Sequence, residues 1–207
     1  AAARMGLPVG RLVVATNRND ILARFFATGE YRVGEVRPTM SPSMDIQVSS
    51  NFERLLFEMS GRDAGAVCAS MDALAREGGF RVGDNQLAAV RELFAAARVD
   101  EAECAAAIGE TWRQTGWLPD PHTAVGLAAA RQCRGAAAMP MVTLATAHPA
   151  KFPDAVERAS GIRPALPARL ADLYDRPERM QRLPGELAAV QSHIEAHARL
   201  ARERSGR

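Results

Sequence analysis

Residues 12–16 read Leu-Val-Val-Ala-Thr, a short β-branched run suited to a buried strand. Asn17-Arg18-Asn19-Asp20 follows at once and is rich in residues that cap helices. Ile21, Leu22, Phe25 and Phe26 then recur at helical spacing, and Gly29 ends the pattern. Strand, polar turn and helix in direct succession make one unit of an α/β layer. In such sheets ligands gather at the carboxyl ends of the strands, which makes Asn17 a candidate site residue. Helix capping is its competing role, shared with Asn19 and Asp20.

A second unit of the same kind is expected near the other end. Met139-Pro140-Met141-Val142-Thr143-Leu144-Ala145 predicts another buried strand, with Thr146-Ala147-His148-Pro149 as its polar exit. A helix over residues 150–159 closes at Gly161. Just upstream, Asp120-Pro121 opens a helix that continues to Gln132 and ends at Gly135, because proline in a first turn sacrifices no needed hydrogen bond. Ala124, Gly126 and Ala128 would let that helix approach another backbone closely.

Between these units the chain is mostly helical. Residues 31–50 read as extended and irregular, broken by Pro38 and Pro42. Ser49-Ser50-Asn51 caps a helix whose apolar face is Phe52, Leu55, Leu56 and Met59. Further helices are predicted over 64–77, 86–98 and 100–114, the last with an acidic start that suits the positive end of its dipole. Prolines 164, 167, 177 and 184 break up the following stretch, and Leu187, Val190, Ile194 and Ala198 mark a final amphipathic helix. The opening Ala1-Ala2-Ala3-Arg4-Met5 reads as the last turns of a helix whose start is missing. The expected organisation is 1–48 as part of an α/β domain, 49–118 as a helix-rich segment, 119–162 as the remainder of the α/β domain, and 163–207 as a C-terminal helical segment.

Composition narrows the function classes. Apolar residues make up 47% and charged residues 24%, ordinary for a soluble globular protein. A net charge of +2 gives no reason to expect a nucleic-acid partner. No apolar run reaches the ~18 residues of a membrane span, and no charged-then-apolar leader begins the sequence. Cys68, Cys104 and Cys133 form no CxxC pair and read as free thiols of a cytoplasmic protein. The basic tail, residues 199–207, reads as a solvated helix end.

Candidate chemistry concentrates in two stretches. Asp120-Pro121-His122-Thr123-Ala124-Val125-Gly126 combines a helix cap with a histidine. Residues 145–152, Ala-Thr-Ala-His-Pro-Ala-Lys-Phe, set a hydroxyl at a strand exit, then a histidine, then Lys151. Among the 26 lysines and arginines, Lys151 is the single lysine. His193 and His197 lie four apart on the last helix, but His-Ile-Glu-Ala-His departs from the His-Glu-x-x-His signature, so solvent-exposed histidines and no metal are expected. No GxSxG, Walker-type loop or GxGxxG occurs.

In order along the chain, Leu12-Val13-Val14-Ala15-Thr16-Asn17 with Asn19-Asp20, Ser41-Pro42-Ser43-Met44-Asp45-Ile46, Ser50-Asn51-Phe52-Glu53-Arg54, the Asp120–Gly126 segment (120–126) and residues 145–152 resemble the C-terminal half of bacterial threonine synthases. The resemblance covers almost the whole chain. It implies an α/β fold, an incomplete fold-type-II domain of the tryptophan-synthase-β-like class that uses pyridoxal 5'-phosphate (PLP), helix-rich with a few buried parallel strands. The implied reaction converts O-phospho-L-homoserine and water to L-threonine and phosphate, with PLP as electron sink.

The family sets a hydroxyl against the pyridine nitrogen of PLP, and Thr146 matches that position. Asn17, His148 and Lys151 match the neighbourhood of the same site. The family's Schiff-base lysine and the glycine-rich loop for the PLP phosphate lie in the N-terminal half, outside this sequence. Lys151 matches a different position, so it does not replace that lysine, and the chain alone is expected to be inactive. A threonine or serine dehydratase-like lyase of the same fold, or a non-catalytic scaffold domain, are the alternatives. A small-molecule substrate is expected, with no nucleic acid or membrane partner.

Overall fold

The first strand, β1 (Leu12–Thr16), forms where the β-branched run predicts it. It pairs in parallel with β4 (Phe94–Arg98), in a register that sets Leu12 opposite Phe94 and Thr16 opposite Arg98. Between them run α1 (Ile21–Thr28), β2 (Glu30–Arg32), α2 (Glu53–Met59), α3 (Ala64–Glu77), β3 (Gly79–Arg81) and α4 (Asp84–Arg91). The strands β2 and β3 form a small antiparallel pair. After β4 come α5 (Glu101–Thr115), α6 (Pro121–Cys133) and α7 (Pro153–Ser160), and further on α8 (Leu187–His197). This computed structural model describes residues 2–135 and 139–198. It divides into two units, Ala1–Ala165 and Leu166–Arg207.

Alternation along β1 and β4 builds a core on each face of the pair. Val13, Ala15, Ala97 and Val99 join Cys104, Ile108, Val125 and Val156 beneath α5, α6 and α7. Val14, Phe94 and Ala96 face the opposite way, onto Ile21, Phe25, Phe26 and Leu87. Phe25 packs edge-on against Phe26, Tyr31 and Phe52, and Tyr31 stacks on Phe52 and Phe80. Burying one such ring contributes about 1.5–3 kcal/mol, so truncating fully buried Phe25 would cost about 3–5 kcal/mol. Gly109 lets α5 close on α7: a Cβ there would sit 2.8 Å from the Ala159 carbonyl oxygen. On the second core's outer side, Leu12, Val14, Leu22, Phe26, Val90 and Phe94 line an open apolar cleft of about 1300 Å³.

Three expectations from sequence need correction. Residues 86–98 are not one helix: α4 ends at Arg91 and residues 94–98 are β4. The alanines there favour a helix locally, but pairing with β1 overrides propensity. Residues 139–145 are not a buried strand. They run irregularly with Val142 77% and Leu144 76% exposed, because among the described residues no strand offers them a ladder. A parallel strand needs a neighbour on its edge as well as suitable side chains. The close neighbour of Gly126 is the Thr143 side chain, 3.0 Å from where its Cβ would lie, rather than another backbone.

The last helix, α8, contains no buried residue: Leu187 is 74%, Ile194 56% and Val190 38% exposed. Residues 2–5 form a short 3-10 turn, while Ala1 and the basic tail 199–207 lie outside the described residues.

Candidate active site

Asn17 sits where β1 ends and is 1% exposed. It is not the cap of α1: that position belongs to Asp20, whose side chain makes no cap bond. The Asn17 amide nitrogen instead donates into the loop at 39–45, lying 2.7 Å from Asp45 Oδ1, 2.8 Å from Thr39 Oγ1 and 3.0 Å from Ser41 Oγ. Its carbonyl oxygen accepts the Asn19 backbone N–H at 2.8 Å. Asn19 reaches the same loop, donating to Asp45 Oδ1 and to the Arg37 carbonyl. The reason is chemical: a carboxamide offers donors and an acceptor together, so it can close a loop whose own backbone groups point inward. Asp45 is the hub of that loop, because its carboxylate also takes the Thr39 N–H and hydroxyl.

A second network lies at the start of α6. The Asp120 carboxylate, 0% exposed, accepts the His122 backbone N–H and the His122 Nδ1–H, both at 2.9 Å. Its other oxygen takes the Thr123 N–H at 3.4 Å and, more closely, the Thr123 hydroxyl. A buried carboxylate is tolerated when its lone pairs are filled in this way. With Nδ1–H committed to Asp120, His122 Nε2 is left as an acceptor, and it receives the Ser43 backbone N–H at 3.1 Å. The Thr123 hydroxyl oxygen accepts the Thr146 backbone N–H at 3.1 Å.

The two networks meet at the 3-10 turn Pro42–Met44. Ser41, bonded to Asn17, starts this turn, and Ser43, bonded to His122, lies within it. Asn17 at the end of β1 and Thr146, which follows irregular chain rather than a strand, are far apart in sequence and are linked by one run of hydrogen bonds interrupted only by this turn. The sequence singled out Asn17, His122 and Thr146. Ser41 and Asp45 entered only as part of a family-like segment and Thr39 not at all, although Ser41-Pro42-Ser43 with a nearby aspartate is a turn signal that marks a polar loop.

The remaining candidates sit on the outer side. Thr146 is exposed, and its hydroxyl makes no hydrogen bond among the described residues. His148 is exposed and caps the short turn Pro149–Lys151, its Nδ1 accepting the Ala150 N–H at 3.1 Å. Lys151 Nζ lies 5.7 Å from the Phe152 ring centroid, and that ring packs 4.6 Å from the His122 ring. Lys151 is thus joined to the buried network only through Phe152. His193 and His197 lie in the other unit, with their rings stacked at 4.2 Å. No cluster of three or more metal-ligating side chains occurs among the described residues.

Cys104 is buried against α6, its thiol 3.4 Å from the Pro121 carbonyl. Burial pushes that thiol up to about 12, with Glu101 and Asp120 adding to the effect.

Parallel strands with helices on both faces, and polar groups gathered at the end of β1, belong to an α/β domain whose solved relatives have the PLP fold type II. The family model described as "Threonine synthase, C-terminal" matches residues 123–194. A threonine synthase of Pseudomonas aeruginosa is 52% identical over 95% of this chain and 42% of its own length, and one of Corynebacterium glutamicum is 42% identical over 93% and 41%. The chain belongs to the threonine synthase family, and it matches the C-terminal part of these relatives. The crystal structure of PLP-bound threonine synthase from Brucella melitensis superposes with a TM-score of 0.87 at 50% identity, covering 96% of this chain and 42% of that one. The yeast threonine synthase structure gives 0.82 at 34% identity, covering 97% and 44%. The chain therefore spans less than half the length of the relatives it matches. No helix among the described residues is long and apolar enough to cross a membrane.

Proposed function

We propose that this chain forms one wall of the PLP site of a threonine synthase, which turns O-phospho-L-homoserine and water into L-threonine and phosphate in the cytoplasm. The observation that carries the reading is Thr146: a hydroxyl without a hydrogen-bond partner among the described residues, on a backbone held by the buried Thr123. Such a donor set fits one contact of the cofactor, the pyridine nitrogen. When bound, PLP supplies an electron sink for carbanion formation at the substrate. A neutral hydroxyl donates to the ring nitrogen without demanding that it be protonated, which an aspartate would do. Lys151, a cation against the Phe152 face, is assigned the leaving phosphate. Asn17 holds the loop at 39–45 at the end of β1, and His148 shapes the turn that carries Lys151.

The test is Thr146→Val and Thr146→Ser in the complete enzyme, measuring phosphate release and the PLP absorbance band. The valine variant is expected to lose about tenfold or more in kcat and to shift the band, while serine stays close to wild type. Unchanged activity in Thr146→Val would remove Thr146 from the site. Comparing O-phosphohomoserine with threonine as substrate separates this reaction from dehydration, and preferential turnover of threonine would overturn the assignment.

A further inference from the structure

The hydrogen bond from Thr146 to Thr123 is the only one made by residues 139–147 among the described residues. That segment is irregular and largely exposed, so little else fixes it. Capping of α6 does not require the Thr123 hydroxyl, because the Asp120 carboxylate already accepts the His122 and Thr123 backbone N–H groups. The hydroxyl is oriented instead by Asp120. Its one proton is committed to that buried carboxylate, so its lone pairs must face an outside donor. Turning the hydroxyl away would leave Asp120 short of a partner in a dry site, which is costly. Asp120 is held in turn by His122, and His122 by Ser43.

We propose that Thr123 is a positioning residue for the reaction: through its hydroxyl, oriented by the Asp120–His122–Ser43 network, it fixes the Thr146 backbone and with it the Thr146 hydroxyl that meets the cofactor ring. This rests on the reading of Thr146 given above. The hydroxyl acts as acceptor and donor at once, so a serine preserves the device and a valine of similar size abolishes both halves of it.

The experiment uses the complete enzyme with Thr123→Val, Thr123→Ser, Thr146→Val and the Thr123→Val/Thr146→Val pair. PLP affinity by spectroscopic titration, kcat, KM and thermal stability are measured for each. Thr123→Val is expected to weaken PLP binding several-fold and to lower kcat about tenfold to a hundredfold, with KM within about twofold. Thr123→Ser should recover kcat to within about twofold. In the Thr146→Val background Thr123→Val should cause no further loss of kcat or PLP affinity, because both act through the same hydroxyl.

If Thr123→Val lowers thermal stability but leaves kcat and PLP affinity intact while Thr146→Val loses them, Thr123 is only part of a cap and the inference fails. Multiplicative losses in the pair overturn it as well. If Thr146→Val is itself indistinguishable from wild type, the cofactor reading falls and the positioning role falls with it. Should Thr123→Val not fold, Thr123→Cys, similar in size but a weak hydrogen-bonder, replaces it under the same criteria.

Discussion

The His122 imidazole accepts the backbone N–H of Ser43 at 3.1 Å, across 79 residues of sequence. The same ring donates to a fully buried carboxylate on its other side, at 2.9 Å. One side chain thus ties the start of α6 to the loop that Asn17 closes. Replacing it with phenylalanine keeps the ring but removes both bonds, leaving Asp120 and Ser43 each short of a partner. His122→Phe is expected to lower stability by about 2–4 kcal/mol, read by chemical denaturation. A loss below about 0.5 kcal/mol would show that water replaces both partners at no cost.

Asn17 should behave as a loop clamp. Asn17→Leu nearly preserves volume but deletes the donors to Thr39, Ser41 and Asp45. Amide hydrogen exchange in residues 37–45 is expected to accelerate more than tenfold, with the amides of α5 and α7 much less affected. Uniform acceleration across all these elements would mean that Asn17 supports the whole fold rather than this loop.

The Cys104 thiol carries a signed pH dependence. Its native value is raised by burial first, and then by Glu101 and Asp120, from 9.0 to about 12. Below pH 9 the thiol is protonated in both states and contributes no slope. As pH rises from 9.0 towards 12 the unfolded chain gives up this proton and the folded one keeps it, so stability falls across that window. Cys104→Ala should flatten that part of the stability profile. At pH 8 a thiol alkylating agent should label exposed Cys68 quickly and Cys104 only on unfolding, as peptide mapping would show.

The 207-residue chain on its own should release no phosphate from O-phosphohomoserine. Its one lysine, Lys151, is the residue assigned above to the leaving phosphate, so these 207 residues hold no second lysine to bind the cofactor covalently. Mixing the chain with PLP and substrate and following phosphate tests this. Steady turnover together with a lysine-linked cofactor absorbance would refute both the expectation and the assignment of Lys151.

The elements most readable from sequence are those whose local and long-range preferences agree. The strand β1 is β-branched and packs against α1 and α6, so its side chains announce its place. The helix α6 shows itself through Asp120-Pro121, since capping is settled within four residues. The strand β4 is hidden because Phe-Ala-Ala-Ala-Arg suits a helix equally well, and only the edge of β1 decides the matter. Residues 139–145 mislead for the opposite reason: strand-like side chains meet no neighbouring ladder. Within the candidate site, Asn17 and Thr146 are marked by following apolar runs. The link between them is invisible in one dimension, because Ser43 reaches His122 only after the intervening helices have packed.

The apolar cleft beside β1 has a practical consequence. Leu12, Leu22 and Phe94 line greasy, open space on a fully folded molecule. Environment-sensitive dyes should therefore fluoresce before any unfolding begins, so a dye-monitored melt would start high and report little. Circular dichroism, which follows the backbone, is the sound readout for melting this chain, and dilute samples should limit self-association through the same cleft.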